Sequence, residues 1–147
     1  MIWRAACRAD IPVIIALLRD DALGAGRETD DLPLYQAAFD AMAREGANHL
    51  IVGERDGVVM ATYQITLISG LSLQAARRAQ IESVRVSSEL RGQGIGALLM
   101  ADAEQRARAA GCTLMQLTTN ATRTRAHGFY TTHGFTPSHI GFKRDLT

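Results

Sequence analysis

The chain has 147 residues, 47 % of them apolar and 21 % charged, with a formal net charge of +1. That length and mixture suit one domain with a full core and exclude a disordered chain. The near-neutral balance offers no nucleic-acid surface, and no apolar run reaches the length of a membrane span, so neither nucleic acid nor membrane is expected as a partner. The start, Met1-Ile2-Trp3-Arg4, lacks the apolar stretch of a secretory signal. Cys7 and Cys112 have no metal-binding spacing and read as reduced thiols of a cytoplasmic protein. His49, His127, His133 and His139 stand singly, and no metal is expected.

Residues 1–6 read as a strand. Asp10 is expected to N-cap a helix that runs to about Ala22, with Pro12 tolerated in its first turn and Ile14, Ile15, Leu17 and Leu18 as its apolar face. Leu23 to Leu32 reads as a loop carrying Arg27, Glu28, Asp30 and Asp31. A second helix spans about Pro33 to Arg44 and ends at Gly46. His49–Arg55 and Val58–Ile68 are strand-like on either side of Asp56-Gly57, a strong hairpin signal. Ser69 to Arg77 is a longer connection into a strand over 79–86, and residues 94–110 form a helix that Gly111 terminates. Thr113–Thr118 follows as a strand and Thr124–Thr132 as a helix, and Phe135–Leu146 reads as two short strands around Ser138-His139. A three-strand meander followed by alternating units implies an α/β (α+β) fold, a single domain over 1–147 with a mixed central sheet flanked by helices.

The loop Arg91-Gly92-Gln93-Gly94-Ile95-Gly96 joins the 79–86 strand to the following helix. Its glycines let the backbone turn tightly and approach a ligand. It also feeds a helix N-terminus, where N–H groups lack partners and the macrodipole is positive, a setting for phosphate. A nucleotide P-loop requires a Lys-Ser or Lys-Thr after the glycines, and none follows. The dinucleotide fingerprint is formally met by Gly92, Gly94 and Ala97. However, Ser87 to Arg91 separate it from the strand, and no acidic residue lies between Gln105 and Lys143 to hold a ribose.

Arg91–Gly96 matches in full the Arg-x-x-Gly-x-Gly loop of the GNAT superfamily of acetyl-CoA-dependent N-acetyltransferases. Ala126-His127-Gly128-Phe129-Tyr130-Thr131-Thr132-His133-Gly134-Phe135 is similar to that family's A-x-x-[LF]-Y-x-x-x-G-F signature. The resemblance implies a GNAT fold in which the central strand and its neighbour splay apart and the pantetheine arm of acetyl-CoA lies in the gap. By position, Val84, Arg85 and Val86 would line that arm, with the backbone of Val84 and Val86 pairing with it as an added strand would. The N–H groups of Arg91, Gly92, Gln93, Gly94, Ile95 and Gly96 would hold the pyrophosphate. Tyr130 corresponds to the family's general acid, which protonates the departing thiolate.

The general base is assigned to Glu82, which two-residue alternation places on the same strand face as Val84 and Val86. Ordinary pairing with Arg78 or Arg85 is the competing role for this side chain. Relatives often carry an Asn seven residues before the tyrosine, whereas this chain has Arg123 there and Asn120 nearby. Either Asn120 or Arg123 is a candidate to contact the cofactor, and Arg123 has the charge to reach a CoA phosphate. The acceptor site of such enzymes is built from the early helices and the meander connection, here Leu23–Leu32, with Glu28, Asp30 and Asp31, and Ser69–Arg78, with Arg77 and Arg78. The implied function is transfer of acetyl from acetyl-CoA to a primary amine by direct attack, with a small-molecule amine, or alternatively a protein amine, as acceptor and no metal. The alternative is a non-catalytic acyl-CoA-binding sensor or regulatory module. A homodimer is compatible with either.

Overall fold

The Asp56-Gly57 turn has both residues at positive φ, 52° and 78°, and folds β2 (Asn48–Arg55) back on β3 (Val58–Ile68). The computed structural model describes all residues, 1–147. β1 (Ile2–Ala5) pairs antiparallel with β2, and β4 (Arg78–Val86) pairs antiparallel with β3. β5 (Leu114–Leu117) lies parallel to β4, giving a mixed sheet of order β1-β2-β3-β4-β5. The parallel crossover from β4 to β5 is made through α5 (Ile95–Ala109).

One face of the sheet carries Ala61, Tyr63 and Ile65 of β3 with Ala79 and Ile81 of β4, and α5 buries Ile95, Leu99, Met100, Ala103 and Ala107 against them. Tyr63 is fully buried and donates its hydroxyl to Asp102 Oδ2 at 2.5 Å, and that carboxylate also accepts from Arg106 Nε at 2.8 Å. The polar end of the tyrosine is thus satisfied inside the sheet–helix interface. On the opposite face, α1 (Ile11–Arg19) buries Ile11, Ile14, Ile15 and Leu17. α3 (Leu32–Glu45) lies further out and has no fully buried side chain.

The structure corrects the expected elements at three places. Asp10 stands at the N-cap position of α1, as expected, but its side chain makes no capping bond there: it closes a 3₁₀ turn over Arg8–Asp10, and its carboxylate accepts from the Cys7 N–H at 2.8 Å and from both terminal nitrogens of Arg4, at 2.7 and 3.0 Å. The first helix ends at Arg19 rather than near Ala22, because Asp21 starts a new single turn, α2 (Ala22–Ala25), by accepting from the N–H groups of Leu23 and Gly24. Residues 135–147 form no strands. Pro137 has no N–H to donate, and Ile140, Phe142 and Leu146 are 81 %, 91 % and 90 % exposed, so no apolar face draws the segment onto the sheet. The β3–β4 connection contains one turn, α4 (Ser72–Ala75), with Leu73, Gln74 and Ala75 in left-handed backbone conformation.

The Arg4 guanidinium holds the Asp10 carboxyl at about 2, below its ordinary 3.8, against the opposing effect of burial. A carboxyl with a depressed folded pKa contributes stability that is complete above its unfolded pKa and fades as pH falls through the folded one. Asp10→Asn is therefore expected to cost about 1–3 kcal/mol in urea unfolding at pH 7. Its deficit relative to wild type should shrink as the pH is lowered toward 2.

Candidate active site

β4 has a partner on each side only up to Ile81. The parallel register with β5 runs from Arg78↔Leu114 to Ile81↔Leu117 and stops there, while β4 continues to Val86. At the same point the register with β3 jumps: Gln64 faces Glu82, Thr62 faces Arg85, and Ser83 between them sits at φ 52°. This is a β-bulge, which bends the strand and re-directs the side chains that follow. Residues 82–86 therefore have one edge without a paired strand, because β5 ends at Leu117. The Val84 carbonyl accepts from Arg85 Nη1 at 2.8 Å and the Val86 carbonyl from Arg91 Nε at 3.3 Å. Each carbonyl oxygen has a second lone pair to offer.

Beyond Val86 the chain makes a 3₁₀ turn, Ser88–Leu90, and enters the glycine loop. Gly92 and Gly94 stand at φ 77° and 79°, which favours glycine, and Gly94 occupies the N-cap of α5 without a side-chain cap. The N–H groups of Gly92, Gly94, Ile95 and Gly96 make no hydrogen bond within the chain. Gly96 is glycine for another reason: a Cβ there would lie 2.9 Å and 3.0 Å from the Phe129 ring of α6 (Thr124–Thr132).

That close approach seats α6, which carries Tyr130. The phenol packs edge-on against Phe129 and Phe135, with ring centroids 5.2 and 5.9 Å away. Burial raises its pKa above the ordinary 10, and the charges of Arg85 and Arg123 oppose the shift without cancelling it. Tyr130 thus holds its proton at neutral pH. Asp21 joins the two arginines: its Oδ2 accepts from Arg123 Nη2 at 2.7 Å and lies 3.0 Å from Arg85 Nε. Burial opposes ionisation of Asp21, but the Gly24 N–H, Arg123 and the charge of Arg85 outweigh it and bring its pKa to about 2.

The sequence profile of the Acetyltransferase (GNAT) family matches residues 14–135. The chain belongs to that family. An aminoalkylphosphonate N-acetyltransferase of Salmonella typhimurium is 43 % identical to it over 117 residues, 79 % of this chain and 75 % of the relative. The structure superposes on that of a transcriptional regulator from Bacillus halodurans C-125 with a TM-score of 0.93 and 38 % identity, over 99 % of both chains. A glucosamine-6-phosphate N-acetyltransferase of Arabidopsis thaliana shares the fold, with a TM-score of 0.81 at 19 % identity over 99 % of this chain and 98 % of that one. The protein is accordingly a GNAT acetyltransferase, an acetyl-CoA-dependent N-acetyltransferase, and these matches favour the enzyme over a non-catalytic acyl-CoA-binding module.

In this acetyltransferase the bulge changes the face on which Glu82 lies. The register puts Glu82 and Arg85 opposite Gln64 and Thr62, on one face together, whereas simple alternation grouped Glu82 with Val84 and Val86. Glu82 is exposed and pairs with neither Arg78 nor Arg85, whose ionic partner is Asp21. The Arg91 side chain folds back onto the C-terminal end of α1, donating to the Asp20 carbonyl and lying 3.5 Å from the Asp20 carboxylate. Gln93 donates to the Glu89 carbonyl, and the Ile95 side chain is core. Asn120 uses its side-chain oxygen to accept from Thr122 N and Oγ1, at 2.9 and 2.7 Å.

The acids of the first acceptor loop are already committed. Glu28 accepts from the Tyr35 hydroxyl at 2.7 Å, Asp30 pairs with Arg19, and Asp31 caps α3 through the Leu34 N–H. In the second loop Arg77 reaches only Ser69, and its Nε is buried without a partner. A cleft of about 440 Å³ between α1 and the β3–β4 edge, lined by Val13, Leu17, Asp20, Met60 and Ser88, contains none of Tyr130, Glu82, Arg85 or Arg123. Asp21 is the residue that sequence reasoning does not single out, because along the chain it is one more charge after a helix. An arginine between two valines of a central strand was the available signal that position 85 carries a side chain with work to do.

Gly96→Ala tests the seating of α6. It is expected to destabilise the fold by about 1–3 kcal/mol in chemical denaturation and to shift the Phe129 ring resonances in NMR spectra.

Proposed function

We propose that this enzyme transfers the acetyl group of acetyl-CoA to the primary amine of a small molecule, by direct attack of the amine on the thioester. The observation that carries the reading is the set of unpaired N–H groups at Gly92, Gly94, Ile95 and Gly96, at the positive end of α5 and directly after the one-edged end of β4. They suit a pyrophosphate, and the open edge of Val84–Val86 suits an extended amide-bearing arm. Bound acetyl-CoA supplies a thioester whose carbonyl carbon is open to attack.

The chain's own residues divide the remaining work. Tyr130, kept protonated by burial, donates its proton to the departing sulfur. Glu82, exposed and free of ion pairs, takes the proton that the ammonium form of the acceptor must lose, directly or through water. The relative named for aminoalkylphosphonates makes small amines with an acidic group the first acceptors to try.

Calorimetric titration with acetyl-CoA tests the cofactor site. Wild type is expected to bind, and Gly94→Asp, which adds a side chain at φ 79° and a negative charge at the anion site, to lose at least about a hundredfold in affinity. Absence of binding by the wild type would refute the reading. For the chemistry, Tyr130→Phe is expected to lower kcat about 10²-fold or more, with the Kd for acetyl-CoA within about twofold. Unchanged turnover would remove Tyr130 from the role of acid.

A further inference from the structure

Arg85 is a charged side chain on the one-edged end of β4, and only 11 % of it is exposed. Such burial is costly unless the charge is matched and its donors are used. The match is incomplete. Nη1 donates to the Val84 carbonyl, while Nε, although 3.0 Å from Asp21 Oδ2, is poorly directed and has no hydrogen-bond partner. Arg85 Nη2 donates to nothing in the chain and is not buried, and the same holds for Nε and Nη1 of Arg123.

Asp21 itself has nothing further to give. Its Oδ1 accepts from the N–H groups of Leu23 and Gly24, and its Oδ2 faces both guanidiniums. One carboxylate therefore fixes two arginines while neutralising the charge of one. Burial lowers the pKa of Arg85, Asp21 works against this, and Arg123 and Arg27 add to it by repulsion. The surplus positive charge is thus felt within the cluster. Arg85 and Arg123 also act electrostatically on the Tyr130 phenol, which puts the cluster at the tyrosine end of the site.

We propose that Arg85 and Arg123, held side by side by Asp21, form the site for the anionic group of the acceptor, a phosphonate or phosphate dianion borne by a small primary amine whose amino group is held toward Tyr130. Arg85 keeps Nη2 and Arg123 keeps Nε and Nη1 as free donors, and donors on two separate guanidiniums suit a tetrahedral dianion better than a planar monoanion, because each arginine can reach a different oxygen. The proposal deepens the acetyl-transfer reading and rests on it for what happens to the amine, but not for the binding of the anion. Both arginines lie outside the acceptor segments expected from the sequence, Leu23–Leu32 and Ser69–Arg78, and are brought together only in the fold.

The test compares wild type with Arg123→Gln and Arg123→Lys, at a partly exposed position, and with the more intrusive Arg85→Lys. Acceptors are 2-aminoethylphosphonate, phosphoethanolamine, β-alanine and propylamine. In wild type, kcat/KM should fall in the order phosphonate or phosphate, carboxylate, neutral amine, and the first two arms show which dianion is preferred. Arg123→Gln should lower kcat/KM for the preferred dianion at least about thirtyfold, chiefly through KM, and lower its ratio to that for propylamine by a similar factor. Arg123→Lys should recover part of the loss.

Titration with methylphosphonate supplies a readout independent of turnover. Binding to wild type, weakened at least about tenfold in Arg123→Gln while the acetyl-CoA Kd stays within about twofold, is the expected result. Three results would overturn the proposal: no methylphosphonate binding by wild type, equal losses for charged and neutral amines, or an equal loss of acetyl-CoA affinity, which would assign the arginines to the cofactor. If no amine is acetylated at all, the proposed function fails, and the methylphosphonate titration still decides whether this anion site exists.

Discussion

β4 loses its parallel neighbour after Ile81 and kinks at Ser83, and the geometry of the candidate site descends from that break. A strand inside a sheet uses its N–H and C=O groups on both sides. Past Ile81 one side of β4 is left over, which leaves backbone acceptors at Val84 and Val86 beside an edge with no paired strand. The bulge also turns Glu82 and Arg85 to a common face, opposite Thr62 and Gln64. A regular strand of the same sequence would separate these two charged side chains.

The loop that follows meets two separate demands with glycine. At Gly92 and Gly94 the backbone is left-handed, and the empty space around each shows that conformation, not crowding, selects the residue. At Gly96 the conformation is helical and crowding decides, because the Phe129 ring occupies the place of a side chain. The first demand exposes amides to an anion. The second presses α6 onto α5 and so sets the position of Tyr130. The glycine loop and Tyr130 are therefore coupled by a packing contact, although they belong to different helices.

Asp21 makes a similar connection through charge. It starts α2 with one oxygen and holds Arg123, 102 residues away in sequence, with the other. The short turn after α1 is thereby tied to the beginning of α6 and to the central strand. The same carboxylate keeps two buried or half-buried arginines tolerable without cancelling their combined charge. Their residual positive charge beside the phenol partly offsets the burial that raises the pKa of Tyr130.

The order of elements, the Asp56-Gly57 hairpin, the glycine loop and the tyrosine signature were legible in the amino-acid sequence, because each depends on local rules: side-chain periodicity, turn conformations and the spacing of residues within one segment. The terminal strands expected over Phe135–Leu146 were misread because alternation alone does not supply a neighbour to pair with. The face of Glu82 was misread because a bulge is a property of two strands in register, and the strand's own residues do not announce it. The meeting of Asp21, Arg85 and Arg123 belongs wholly to the tertiary structure, since their charges are matched across three distant segments that come together only when α1, β4 and α6 pack around the sheet.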